Sequence, residues 1–358
     1  MPGTTDNALE LDLPHCSHAR KSQMQGPERT VSRSSDRDRK DGSVSQATRD
    51  PVRTRRTAPR RGAIVALLLA AMALTVTVLL GSVPGPLGTA IAVALPWLGL
   101  LLAALVIASL LIRPRTAWIA AVPVVAWTVA LWGFLPVPWQ SDPPPGASGL
   151  LVATQNVQAG SGTGAASARA LAGQGAQILA FTELDGDSGA AIADELADAY
   201  PHAYRVGTVG IWSRYPIVDE EALDLGLGWK RALRVEVDAP GGPVSVYVVH
   251  AASLRPGAQS VRDGMLSALG EQISADRSRR VIALGDFNAV STDPALAAIA
   301  GRLGEVRFGG IGPSFTWPAS FPAVRIDHVF QRGFAAASGR TASAGASDHL
   351  AIIAALSG

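Results

Sequence analysis

Cysteine is almost missing: Cys16 is the single cysteine in 358 residues. That excludes an intrachain disulfide and any cysteine metal cluster. A domain of about 200 residues has core enough to hold without either. Charge is missing too, from one long region. Residues 62–148 carry only Arg113, Arg115 and Asp142. No ionisable residue falls inside the apolar runs of that region, which argues against a proton relay or ion pathway. The part that follows, 149–358, lacks a basic excess: 16 Lys+Arg stand against 20 Asp+Glu. Nucleic-acid binding is dominated by phosphate neutralisation and usually shows a basic face, so this balance lowers the case for a nuclease without excluding one.

What is present divides into three parts. Residues 1–61 are polar and basic, with 13 Lys+Arg against 8 Asp+Glu, and follow neither a helical nor a strand period. They read as a disordered tail. Three uncharged runs follow, at about 62–81, 87–112 and 116–135. Each is long enough for a bilayer core of about 30 Å, and the charged region ahead of them is too long for a secretory signal. The Ser82-Val-Pro-Gly-Pro86 stretch separates the first two and Arg113-Pro-Arg115 the last two; Trp139 sits where an interfacial aromatic would. Arg53, Arg55, Arg56, Arg60 and Arg61 share one side with Arg113 and Arg115, which puts the N-terminus in the cytoplasm. An odd number of spans then carries the rest outside. The expectation is a multi-pass cell-membrane protein with the bilayer as its partner and an extracytoplasmic C-terminal domain; no protein partner is inferable. Residues 140–149 form a stiff Pro/Gly linker.

The terminal part, 150–358, alternates short β-branched runs with Ala-rich helical stretches. Several strands follow one another without a helix between them, notably Ala232–Asp238 and Val244–His250 across Pro-Gly-Gly. The fold class is therefore α/β, a two-sheet β-sandwich flanked by helices, preceded by three transmembrane helices.

Within it, Val281-Ile-Ala-Leu-Gly-Asp-Phe-Asn288 is a buried strand running into a glycine turn. Period two puts Asp286 and Asn288 on one side of the chain. An acid and an amide there can activate water and hold a phosphate oxygen. The plain alternative is a strand ending in an Asx turn. Other strands also finish or begin at polar residues: Asn156, Glu183, His250, Asp327 and the pair Asp348-His349. Each alone could be a turn or cap residue. Together they form the kind of cluster that a scaffold holds at its strand ends for binding or catalysis. Asp185 and Asp187, just after Glu183, read as solvated loop charges.

Gln155-Asn156, Phe181-Thr-Glu183, Gly210-Ile-Trp-Ser-Arg-Tyr-Pro-Ile217, Val249-His250, Gly285-Asp-Phe-Asn288, Arg325-Ile-Asp-His328 and Ser347-Asp-His349 resemble, in order, the motifs of the endonuclease/exonuclease/phosphatase superfamily. The resemblance covers about 150–358. It implies a metal-dependent hydrolase that uses Mg²⁺ or Mn²⁺ to cleave a phosphodiester or phosphomonoester. It further implies that Glu183 is the main metal ligand, helped by Asn156 and Asp348. Asp286 would orient or deprotonate water and Asn288 would hold a phosphate oxygen. His349, oriented by Asp327, and His250 would share the base, acid and phosphate-contacting roles. The substrate stays open among lipid head groups, DNA or RNA, and small phosphoesters. A non-catalytic phosphate-binding module on a membrane anchor is the reading from another class.

Overall fold

The computed structural model describes residues 58–137, 149–255, 257–310 and 312–358. The polar tail up to residue 57, and Trp139 with most of the Pro/Gly linker, lie outside the described residues.

Three apolar helices come first: α1 (Ala58–Leu80), α2 (Pro86–Ile112) and α3 (Ala121–Leu131). A 3-10 turn, Pro114–Ala120, leads into α3, so the third run is not α-helical from its start. Thr116 explains the tight turn, since its hydroxyl donates back to the carbonyls of Arg113 and Ser109. That run ends at Leu131 rather than near 135, with Gly133 in the turn that follows. The three segments are long and apolar enough to cross a membrane. Between α1 and α2 the chain turns at Gly85 (φ 113°), and at Gly88 a Cβ would lie 1.7 Å from the Val83 carbonyl oxygen, which no other residue could meet.

The remainder runs β1 (Gly149–Asn156), α4 (Gly164–Gly173), β2 (Ile178–Thr182), α5 (Gly186–Leu196), β3 (His202–Val206), β4 (Val209–Ser213), β5 (Ile217–Leu223), β6 (Ala232–Ala239), β7 (Gly242–His250), α6 (Gln259–Ala275) and β8 (Val281–Asp286). It closes with α7 (Ala297–Ala300), β9 (Gly304–Glu305), β10 (Asp327–Arg332), β11 (Ala336–Ala342) and β12 (Ala351–Ser357). The strands make two six-stranded sheets, in the orders β11-β12-β1-β2-β4-β3 and β5-β6-β7-β8-β10-β9. Among the described strands, β1/β2 and β7/β8 pair in parallel and the others antiparallel. The sandwich flanked by helices is thus the observed fold.

Burial follows from the strand sequences. Alternate residues such as Val152, Ile178, Ile211, Val246, Val248, Ile282 and Leu284 meet between the sheets. The opposite faces are also apolar, because helices cover them: α6 and α7 over β7 and β8, α4 and α5 over β1 and β2. Strands apolar on both faces are what a central position in a covered sheet demands. Asp185 is not a free loop charge. It caps α5 in a reciprocal capping box with Ser188 and also accepts from the Gly160 amide at 2.7 Å.

The registers bring the polar strand ends together. Antiparallel pairing sets Asp327 opposite Asp286, and parallel pairing sets His250 beside Asp286. In the other sheet, β1 ends where antiparallel β12 begins, so Asn156 lies near the Ser347–His349 loop. Both sheets deliver these ends to one edge of the sandwich.

Candidate active site

Asp286 is the buried centre of the cluster. Its Oδ2 accepts from the Asn156 amide at 3.0 Å and its Oδ1 from the Asn288 backbone N–H at 2.9 Å. Burial raises the pKa of this carboxyl, and the neighbouring Asp327 raises it further. Asn288 lines the same cavity as Asp286, as expected, but on a turn rather than on continued strand backbone. It has φ 48° in the left-handed region, and its Nδ2 donates to the Ala251 carbonyl at 3.0 Å. The bond from its N–H to Asp286 is an Asx turn, so the plain reading of this segment and the functional one describe the same geometry. One N–H of the Asn288 amide remains for another acceptor.

Glu183 lies just past β2, also left-handed at φ 57°. A non-glycine residue held there costs on the order of 1 kcal/mol, the kind of strain found at working sites. Its Oε1 is 3.5 Å from His250 Nε2, and its side chain is about one-third exposed. The hydrogen bond to His250 is the main cause that holds its pKa down, at about 2. Arg231 Nη2 lies against both ring nitrogens of His250, and Thr208 Oγ1 is 3.3 Å from Nδ1.

His349 Nδ1 is 2.9 Å from Asp327 Oδ2. Burial acts to lower its pKa, but Asp327, and then Asp286, outweigh this and raise it to about 9. The Ser347 hydroxyl donates to the Asn156 carbonyl at 2.6 Å and accepts from the His349 N–H at 3.1 Å, pinning this loop to the end of β1. Asp348 accepts from the Trp317 indole at 3.2 Å.

Two groups of ligand-capable atoms each fall within 4.8 Å: Glu183, His250 and Asp286, and Asp286, Asp327 and His349. Asp348 belongs to neither group, although it lines the same cavity of about 390 Å³ as Glu183, Asp286, Asn288 and His349. The structure therefore gathers Asn156, Glu183, His250, Asp286, Asn288, Asp327 and His349 tightly and leaves Asp348 on the rim. Oxygen-rich donors with an excess of carboxylate suit a hard divalent cation.

Two contributors carry weaker sequence signals. Arg231 precedes β6, and its carbonyl accepts from the His250 N–H at 3.0 Å, so the hairpin register is what places it. Thr316 is fully buried, and its Oγ1 accepts from the Ile326 and Asp327 N–H groups, fixing the acid that orients His349. Its signal was its place in Phe315-Thr-Trp-Pro318, just ahead of the Asp-His pair.

Residues 153–349 match the Endonuclease/Exonuclease/phosphatase family. The chain belongs to that family. Members of the endonuclease/exonuclease/phosphatase family are metal-dependent hydrolases of phosphoesters, and this chain is an enzyme of that class. No curated protein matches the sequence. Among solved structures, truncated TDP2 from Caenorhabditis elegans superposes with TM-score 0.50 at 19% identity, covering 59% of this chain and 98% of that one. A mutant of beta toxin from Staphylococcus aureus with bound magnesium ions gives TM-score 0.50 at 15% identity, covering 59% and 100%. A family protein from Bacteroides thetaiotaomicron gives TM-score 0.50 at 16% identity, covering 58% and 97%. At such identities the likeness is one of fold.

Proposed function

We propose that this protein is a membrane-anchored phosphoesterase, dependent on Mg²⁺ or Mn²⁺, whose active site is the cleft around Asp286. The observation that carries the reading is the meeting of seven polar strand-end residues from both sheets at one edge of the sandwich. Glu183 would hold the cation, with Asn156 beside it and Asp348 closing from the rim. When bound, the cation would act as a Lewis acid on a phosphoryl oxygen and as a template for in-line attack.

The protein groups divide the remaining work. Asp286, oriented by Asn156 and the Asn288 N–H, takes a proton from water as the water oxygen bonds to phosphorus. The phosphorus–oxygen bond to the alcohol breaks on the opposite side, where His250 contacts the departing oxygen, and the alcohol leaves with a proton taken from bulk water. His349 has Nδ1 engaged by Asp327, so Nε2 is left to contact the phosphoryl oxygens as charge builds. The free N–H of Asn288 donates to the same charge.

The three apolar helices serve as the anchor, with the N-terminal tail cytoplasmic and the catalytic domain outside. A reporter fused after residue 358 is expected to signal a non-cytoplasmic location, and a cytoplasmic signal overturns this orientation. The full-length protein in detergent is expected to hydrolyse bis(p-nitrophenyl) phosphate with Mg²⁺ or Mn²⁺ and to stop with chelator. Glu183→Ala and Asp286→Ala should each lower turnover about a thousandfold or more while the melting temperature holds. Full activity in both variants would overturn the site.

A further inference from the structure

One wall of the catalytic cavity comes from the anchor. Val93, on α2, lines it together with Glu183, Asp286 and His349. The helix is fixed there by polar contacts that a loose tether would lack. Thr89, which is buried, accepts from Gln259 Nε2 at 2.8 Å and from Arg262 Nη2 at 3.3 Å. Arg262 is itself fully buried and donates through Nη1 to the Asn288 carbonyl at 3.0 Å. Thr292 donates to the Ala92 carbonyl at 3.2 Å. One turn further on, the Trp97 indole donates to the Ala323 carbonyl at 3.1 Å and its ring stacks on Phe315.

The depth of that wall follows from helix geometry. Twenty residues separate Val93 from Arg113, which at 1.5 Å per residue is about 30 Å, the thickness of a hydrocarbon core. Gly81, at the end of α1, lies against Ile91, and it stands twenty residues from Arg61. Both helices therefore place Ile91 and Val93 at the boundary of the apolar core when Arg61 and Arg113 sit at the opposite one. The cleft is lined by Leu254 and Trp317, which are 42% and 40% exposed, and Trp97, bonded to the Ala323 carbonyl beside it, is 43% exposed. Tryptophan side chains favour the membrane interface.

We infer that the active site is completed by the anchor, with Val93 as a substrate-contacting residue, and that it takes phosphoesters carrying apolar chains. The chains would stand in the adjacent leaflet against α2 while the phosphate reaches Glu183 and Asp286. A hydrophilic phosphoester of the same head group lacks anything to place against Val93 and Leu254. The inference rests on the phosphoesterase reading and narrows it to amphiphilic substrates.

The test uses the full chain in nanodiscs with Mg²⁺ or Mn²⁺. Dioleoyl phosphatidylcholine, phosphatidylglycerol and phosphatidylethanolamine are compared with their deacylated glycerophosphodiesters, and bis(p-nitrophenyl) phosphate serves as a chain-free reference. For at least one head group the acylated substrate is expected to turn over at least tenfold faster, and Val93→Trp should cut that ratio at least tenfold. Should Val93→Trp fail to fold, Val93→Ala and Leu254→Ala are expected to lower the ratio about threefold. Equal or faster turnover of the deacylated forms, or a ratio unmoved by these variants, overturns the inference. So does hydrolysis of bis(p-nitrophenyl) phosphate alone. Failure to hydrolyse any of the seven compounds sinks the phosphoesterase reading itself, and the inference with it.

Discussion

Two Asp-His dipeptides stand twenty-one residues apart, Asp327-His328 and Asp348-His349, and the fold treats them oppositely. The acid of the first orients the histidine of the second across 2.9 Å. The histidine of the first turns away and faces Glu305 at 2.8 Å. Both histidines are buried and both have a carboxylate at Nδ1. The difference lies at the other nitrogen. His328 Nε2 faces the Ala289 carbonyl at 2.7 Å, and Glu305 also accepts from Ser291 and Arg325 at 2.9 Å each. Arg325 in turn lies between the rings of Phe134 and Phe308, 4.5 Å from each centroid. His349 has a cavity where His328 has a carbonyl. A histidine–carboxylate pair is chemical equipment only when one ring nitrogen is left facing a cleft; with both engaged, the same pair is a structural tie.

Substitutions can break this contrast. The largest effect is expected from His349→Ala, which should lower kcat by about 10²–10⁴-fold with little change in melting temperature. His328→Ala should do the reverse: lost stability of about 3–5 kcal/mol, since it opens a buried charged network, with turnover per folded molecule near that of the parent. If His328→Ala leaves stability intact and abolishes turnover, the division between the pairs is wrong. Acid sharpens the comparison. Burial acts to raise the pKa of Glu305, but Arg325 and His328 outweigh it and bring it to about 2. A depressed carboxylate contributes stability above its unfolded pKa near 4.5, and loses it as pH falls from there to about 2. The contribution is on the order of 3 kcal/mol, and Glu305→Gln should flatten the acid limb of a pH–stability curve measured by urea unfolding. The smallest effect is expected from Trp317→Phe, which removes the indole donor to Asp348. About 1 kcal/mol, or roughly fivefold in kcat/KM, is anticipated, with Asp348→Asn on the Trp317→Phe background adding less than it does alone.

The parts of the fold legible in the sequence are those where one interaction dominates. The central strands are continuous apolar runs with the candidate-site motifs at their ends, so the strand-end positions of Asn156, Glu183, His250 and Asp286 are legible in the sequence. Edge strands were harder to read. In β5, Asp219-Glu-Glu221 faces solvent, and β11 is built from Ala, Ser, Gly, Arg and Thr, so neither shows an apolar period. Their strand state comes from pairing with β6 and β12. Asp286 and Asn288 face one cavity while Phe287 packs in the core, as period two implies, but Asn288 reaches it through a left-handed turn that the period does not show. Asp185 looked like a loop charge because its role depends on a helix that starts one residue later. The contact between α2 and the domain joins Thr89 to residues about 170–200 positions away, and no local pattern carries that. Thr89 was at least visible as a polar residue inside an apolar run.

Arg262 connects the loop holding Asn288 to a threonine on the second apolar helix, through one buried guanidinium. Evolution by swapping modules works when two parts share a linker and little else. Here a transplanted domain would keep Arg262 but lose Thr89, and it would bare the aromatic surface now covered by Trp97 and Phe134. The apolar helices and the hydrolase domain are therefore joined by packing as well as by the linker, and a domain cut free of α2 would leave a buried guanidinium short of one acceptor and Phe315 short of its ring partners.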